Sequence, residues 1–207
     1  MDNLSFKQHW EKIYETKNHQ EVGWYQQKPM VSLSFFEELN VPLDTNIIDI
    51  GGGESYLVDN LAQMGYKHIS VLDIATKAIE KAKARFKESG QNIHWIVSDV
   101  LEFSVSNKYN VWHDRAAFHF LLEEKDIQKY VEHAKNALKE NGLLFVGTFS
   151  ENGPGKCSGL PVRKYAIDEL KQVFSPYFEP IKCFNIDHFT PSDNVQNYTF
   201  CTFRKKH

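Results

Sequence analysis

The sequence predicts an α/β fold: a mostly parallel, doubly wound sheet with helices on both faces and an antiparallel strand pair at one end. Three observations carry this. From Asn46 onward, short apolar runs alternate with segments of helical period. The first two runs enclose a glycine turn, Gly51-Gly52-Gly53, and the second run leads to an acid, Asp73. The last two β segments are joined by a short stretch with no helical pattern, which suits antiparallel pairing.

The elements follow in order. Asn46 to Ile50 is apolar enough for a strand buried on both faces. Ser55 to Met64 places Leu57, Val58, Leu61, Ala62 and Met64 at helical spacing, and Gly65 ends that helix. His68 to Leu72 is the second strand. Thr76 to Glu88 is a helix with Ala78, Ile79, Ala82 and Phe86 on one face, stopped by Ser89-Gly90. Ile93 to Val97 and Tyr109 to Trp112 are the third and fourth strands. Lys125 to Glu140 is an amphipathic helix with a stripe of Ile127, Tyr130, Val131, Ala134, Ala137 and Leu138, and Asn141-Gly142 is its stop. Leu143 to Thr148 is the fifth strand. A Gly- and Pro-rich loop runs from Ser150 to Pro161, followed by a short helix from Ala166 to Phe174. Glu179 to Asp187 and Asn197 to Arg204 form the closing strand pair. Residues 1–45 hold two helical stretches, Leu4 to Glu15 and Pro29 to Leu39, too short for a domain of their own. They read as a cap on the carboxyl edge of the sheet formed by residues 46–207.

Composition excludes some classes. The 207 residues carry a net charge of -3, so no basic field invites nucleic acid or an anionic membrane. The run Arg204-Lys205-Lys206 reads as a solvated tail. No segment approaches the roughly 18 apolar residues of a membrane span, and no signal peptide is evident at the first residues. Cys157, Cys183 and Cys201 are widely spaced and odd in number, which argues against a disulfide framework or a metal site and fits a reducing cytoplasm.

The strand ends concentrate polar chemistry. They carry Asp49 with the glycine run, then Asp73, Asp99, Asp114-Arg115 and Phe149-Ser150. Ligands bind at that edge of open α/β sheets. A nicotinamide dinucleotide would need G-x-G-x-x-G, but after Gly51 and Gly53 the third position is Tyr56. A triphosphate-binding G-x-x-x-x-G-K-[ST] is absent; Gly155-Lys156-Cys157 has no apolar helix directly behind it.

The order Asp49-Ile50-Gly51-Gly52-Gly53-Glu54-Ser55, then Asp73, then Asp99, resembles the class I S-adenosylmethionine-dependent methyltransferases. The likeness covers about Asn46 to Arg204, and Ser55 stands where glycine is common. It implies a Rossmann-like, seven-stranded methyltransferase sheet and S-adenosyl-L-methionine as cofactor. By the same resemblance, Asp49 and Ser55 belong to the cofactor-binding motif, Gly51 and Gly53 let the backbone meet the methionine part, Asp73 holds the ribose hydroxyls, Ile74 packs on adenine, and Asp99 faces the adenine amino group with the amide of Val100 near the ring.

The segment Trp112 to Leu121 contains an Asp114-Arg115-Ala116-Ala117 element similar to that of thiopurine-type and related small-molecule methyltransferases. The pattern His9-Trp10-Glu11-x-x-Tyr14 with Trp24-Tyr25 resembles that group and some protein-lysine methyltransferases. The short cap and the lack of a basic or repeat-built docking surface favour a small-molecule acceptor with S, N or O as nucleophile. A protein-lysine acceptor is the alternative, and a cofactor-binding regulator without turnover is a second. Asp114, Arg115 and His119 are the catalytic candidates. Two readings stand for each: Arg115 grips an anionic group or pairs with Asp114, and His119 is a base or a core histidine. Trp24, Tyr25 and Phe149 are the candidate acceptor contacts, with burial in the core as the other reading. Nothing in the pattern decides between a monomer and a homodimer.

Overall fold

The computed structural model describes residues 3–86, 93–106 and 108–207. Its strands are β1 (Asn46–Ile50), β2 (His68–Asp73), β3 (His94–Val97), β4 (Tyr109–Arg115), β5 (Leu138–Phe149), β6 (Lys156–Cys157), β7 (Leu160–Pro161), β8 (Phe178–Phe189) and β9 (Val195–Lys205). The helices are α1 (Asn3–Thr16), α2 (Met30–Glu38), α3 (Leu57–Gln63), α4 (Thr76–Phe86), α5 (Glu124–Ala137) and α6 (Ile167–Phe174).

Seven strands form one sheet in the order β3-β2-β1-β4-β5-β9-β8, and β6 and β7 make a separate hairpin. Strands β3, β2, β1, β4 and β5 run parallel; β9 and β8 are antiparallel. Parallel neighbours need crossovers, and these lay helices on both faces. Helices α2 and α3 cover one face, around Phe36, Leu61, Ile47, Val111 and Phe145. Helices α5 and α6 cover the other, around Tyr130, Leu170, Ile48, Trp112 and Val146. The sheet order reverses at β1, which sits between β2 and β4, so a crevice opens at its carboxyl end.

The Rossmann-like sheet with its antiparallel pair is as the sequence predicts. Four local readings change. The helix expected to reach Glu140 stops at Ala137, and Leu138 pairs with Tyr109 at the start of a longer β5. Leu138 is buried either way, so the apolar stripe cannot locate the boundary; the left-handed Asn141 (φ 59°) falls within the strand's span instead of behind the helix. The helix expected from Ser55 begins at Leu57, whose amide donates to Ser55 Oγ at 3.0 Å. The expected solvated tail is largely strand: Lys205 is buried and donates to the Leu138 carbonyl at 2.7 Å. Cys183 and Cys201 are disulfide-bonded, because the β8–β9 register sets them directly opposite at a Cα separation of 4.2 Å. That pair removes the cysteine argument for a reducing compartment. Glu88 and the Ser89-Gly90 stop lie outside the described residues.

Among the described residues no helix is long and apolar enough to cross a membrane.

Candidate functional site

The glycine turn is built for close approach. Gly51 and Gly53 take φ of 62° and 46°, where side chains are strained. A Cβ on Gly51 would lie 2.7 Å from Ala117 Cβ; one on Gly53 would lie 2.5 Å from the Tyr14 hydroxyl and 2.9 Å from Asp73 Oδ2. Arg85 of α4 holds the turn from below, donating to the Glu54 and Ser55 carbonyls at 2.8 and 2.7 Å while its guanidinium pairs with Asp59. The Glu54 and Ser55 carbonyls that follow the turn are thus satisfied by the protein.

The strand-end acids differ in setting. Asp73 is buried and accepts the Ala75 amide at 2.8 Å. Burial pushes its pKa up to about 7, with the Ala75 amide opposing. Asp99 accepts the Leu101 amide at 2.8 Å and is only partly buried. Asp73, Ile74, Asp99 and Val100 all line one cavity of about 410 Å³, together with Gly51. That volume is within the usual span of cofactor and small-molecule pockets, roughly 300–1,000 Å³.

The other end of the cavity is aromatic. Helix α1 presents Phe6, Trp10 and Tyr14, spaced four residues apart and therefore on one face. Trp24 and Phe120 meet Trp10 edge-on at 5.8 and 5.2 Å, and Cys157, Leu160 and Pro161 of the β6–β7 hairpin complete the wall. Tyr14, placed over Gly53, is a site residue that appears in the sequence reading only as part of a resemblance. The aromatic i, i+4, i+8 spacing is the signal that would have singled it out.

Glu11 explains how α1 is held there. Its two carboxylate oxygens accept the Thr76 and Lys77 amides at 2.7 and 3.0 Å, capping the N-terminus of α4. Burial opposes its ionisation, but the Lys77 and Thr76 amides prevail and hold the carboxyl below its ordinary range. A lowered acid contributes stability that is present above its unfolded pKa and lost as pH falls through the folded one. Glu11→Gln should therefore weaken α1 docking by about 1 kcal/mol. Hydrogen exchange should then speed up in residues 3–16 and stay unchanged in β1 and β4; uniform protection would overturn this role.

The end of β4 separates the catalytic candidates. Asp114 is fully buried and faces α5, accepting from the Ala117 and Phe118 amides at 3.0 and 3.1 Å and from the Tyr130 hydroxyl at 2.7 Å. Burial pushes its pKa up to about 6, with those three donors opposing. It does not line the cavity, and its oxygens shape the turn that carries Phe120. Arg115 does line the cavity, and it donates to the Trp24 carbonyl at 3.0 Å in place of pairing with Asp114. His119 is fully buried between Phe120 and Phe149, its Nδ1 facing the Phe149 amide at 3.4 Å, and burial lowers its pKa to about 3. That is the environment of a neutral core histidine.

The remaining candidates fall outside the cavity lining. Asp49 is hydrogen-bonded to His113 Nδ1 at 2.7 Å, and His113 Nε2 to Ser32 Oγ at 2.9 Å, a buried chain that ties α2 to β1 and β4. Ser55 starts α3. Tyr25 packs on His19 and Tyr56, and Phe149 on His119 and Tyr198.

Known proteins resemble this chain in sequence and fold. The family model described as a methyltransferase domain matches residues 47–142. EEF1A lysine methyltransferase 2 of Homo sapiens is 26% identical over 158 residues, 69% of this chain and 67% of that protein. Nodulation protein S of Sinorhizobium fredii (strain NBRC 101917 / NGR234) is 27% identical over 104 residues, half of this chain and 47% of that protein. Among solved structures, the Burkholderia thailandensis 1,6-didemethyltoxoflavin-N1-methyltransferase, with 1,6-didemethyltoxoflavin and S-adenosylhomocysteine bound, superposes with a TM-score of 0.78. It covers all of this chain and 92% of its own at 15% identity, a likeness that establishes the fold.

Proposed function

We propose that this chain, a class I S-adenosylmethionine-dependent methyltransferase, methylates a small molecule held in the aromatic end of its cavity. One observation carries the reading: the cavity that begins at Asp73 and Asp99 continues between Trp10, Trp24 and Phe120 under the β6–β7 hairpin. When bound, S-adenosylmethionine supplies an electrophilic methyl group on a sulfonium. The residues fit it. Asp73 would offer a carboxylate to the ribose hydroxyls, Gly51 in the cavity lining with Gly53 behind it under Tyr14 would leave room for the methionine chain, and Ile74 and Val100 would flank the adenine beside Asp99.

What the protein adds is alignment and dryness. Trp10, Tyr14 and Trp24 position the acceptor and exclude water from the methyl group. His119 and Cys157 are poor bases here: His119 does not line the cavity and burial lowers its pKa to about 3, and burial keeps the Cys157 thiol protonated, its pKa pushed up to about 12. An acceptor that arrives as its own nucleophile suits this site.

A protein-lysine acceptor is the second reading, favoured by the similarity to EEF1A lysine methyltransferase 2. A tritiated-methyl screen over thiols, amines, carboxylates and cell extract separates the two. Label in small products is expected; label confined to protein bands would overturn the small-molecule reading.

A further inference from the structure

The aromatic end of the cavity contains a cation with no anion beside it. Arg115 is partly buried and lines the cavity, and among the described residues no ion pair to a carboxylate is formed by it. Its one hydrogen bond is to the Trp24 carbonyl, so most of the five guanidinium donors are unused. An isolated buried charge is costly unless something pairs with it.

The neighbours do not supply that partner. Asp49 is the carboxylate whose charge Arg115 feels, and it is committed to His113. Burial holds the Cys157 thiol and the Tyr198 phenol in their neutral forms, Arg115 notwithstanding. The Tyr198 ring lies under the guanidinium at 5.8 Å, and its buried hydroxyl has no hydrogen-bond partner among the described residues.

We propose that Arg115 is the specificity residue for an acceptor bearing a carboxylate, phosphonate or similar anion on an apolar or aromatic body. The planar fork of Arg115 matches an oxyanion with two parallel hydrogen bonds, and Trp10, Trp24 and Phe120 pack the body. The same charge repels an ammonium group, which sets this site against a protonated lysine or other cationic amine. The inference rests on the small-molecule reading and names the acceptor's charge class within it.

The test uses the full chain loaded with S-adenosylhomocysteine, in buffer free of phosphate. Calorimetry compares benzoate and phenylphosphonate with benzamide and benzylamine as probes. At least one anion should bind about tenfold or more tighter than benzamide, with benzylamine weakest, as expected for a charge-assisted hydrogen-bond pair. Arg115→Gln should abolish the preference and Arg115→Lys should keep part of it. If the glutamine variant does not fold, the lysine variant decides: a preference that is weakened but present supports the role, and one of unaltered size overturns the fork. Equal binding of all four probes, no detectable binding of either anion, or a preference that survives Arg115→Gln overturns the proposal. Failure of S-adenosylhomocysteine itself to bind would instead strike at the methyltransferase reading.

Discussion

Asp73→Ala should weaken S-adenosylhomocysteine binding by about a hundredfold, the loss of two hydrogen bonds to a charged acceptor. Titration calorimetry reads this directly, and an affinity within a few-fold of the parent would remove Asp73 from the ribose site. The ionised carboxylate is the acceptor, and its pKa in the free protein is about 7, so affinity should also fall as pH drops below neutrality. The same shift bears on stability with the opposite sense. An acid whose folded pKa is raised binds more protons folded than unfolded between its ordinary pKa and about 7, so the free protein loses stability as pH rises through that window. The total is on the order of a few kcal/mol. Asp73→Asn should flatten the part of the slope between about pH 6 and 7; the part below belongs in addition to Asp114, whose pKa is about 6. Urea unfolding of the free protein at pH 5, 6, 7 and 8 would show it, and an unchanged slope would mean that the burial of Asp73 is relieved by solvent.

Asp114→Ala should be a folding defect. The substitution strands the Ala117 and Phe118 amides and the Tyr130 hydroxyl, all in or beside the core facing α5. At about 1–3 kcal/mol for each unsatisfied buried group, a net loss of about 3–5 kcal/mol follows, after allowing for the relief of burying a carboxylate. That is a large share of the 5–15 kcal/mol typical of a domain. Thermal unfolding and soluble yield should fall together. A variant of parental stability with abolished turnover would return Asp114 to the chemistry.

The end of the cavity at Asp73 and Asp99 was legible in the sequence because each of its signals is local. A glycine run directly after an apolar strand and an acid at each of the next two strand ends can each be read within its own few residues, and Gly51, Asp73, Ile74, Asp99 and Val100 do meet in one cavity. The aromatic end was not, because its contacts cross the chain: Tyr14 meets Gly53, and Arg115 meets Trp24 and Tyr198. Some of it could still have been read. Successive residues of a strand face opposite sides, so Asp114 and Arg115 could not both enter one cavity. Trp112 and Asp114 point to α5, whereas His113 and Arg115 point to the other side. The same alternation, applied to the closing strand pair, places Cys183 opposite Cys201 once the register is known; sequence spacing does not give the register. His119 was ambiguous for a different reason. Only its burial decides between base and core, and burial is a property of the assembled fold.

The two ends of the cavity come from different stretches of chain. Asp73, Ile74, Asp99 and Val100 fall within residues 47–142, which the methyltransferase domain model matches, while Phe6, Trp10, Tyr14, Trp24, Cys157 and Leu160 fall outside them. An exchange of α1 or of the hairpin would therefore leave Asp73, Asp99 and the glycine turn in place, and Arg115 and Phe120, which meet Trp24 and Trp10 from within the matched span, are where the two stretches touch.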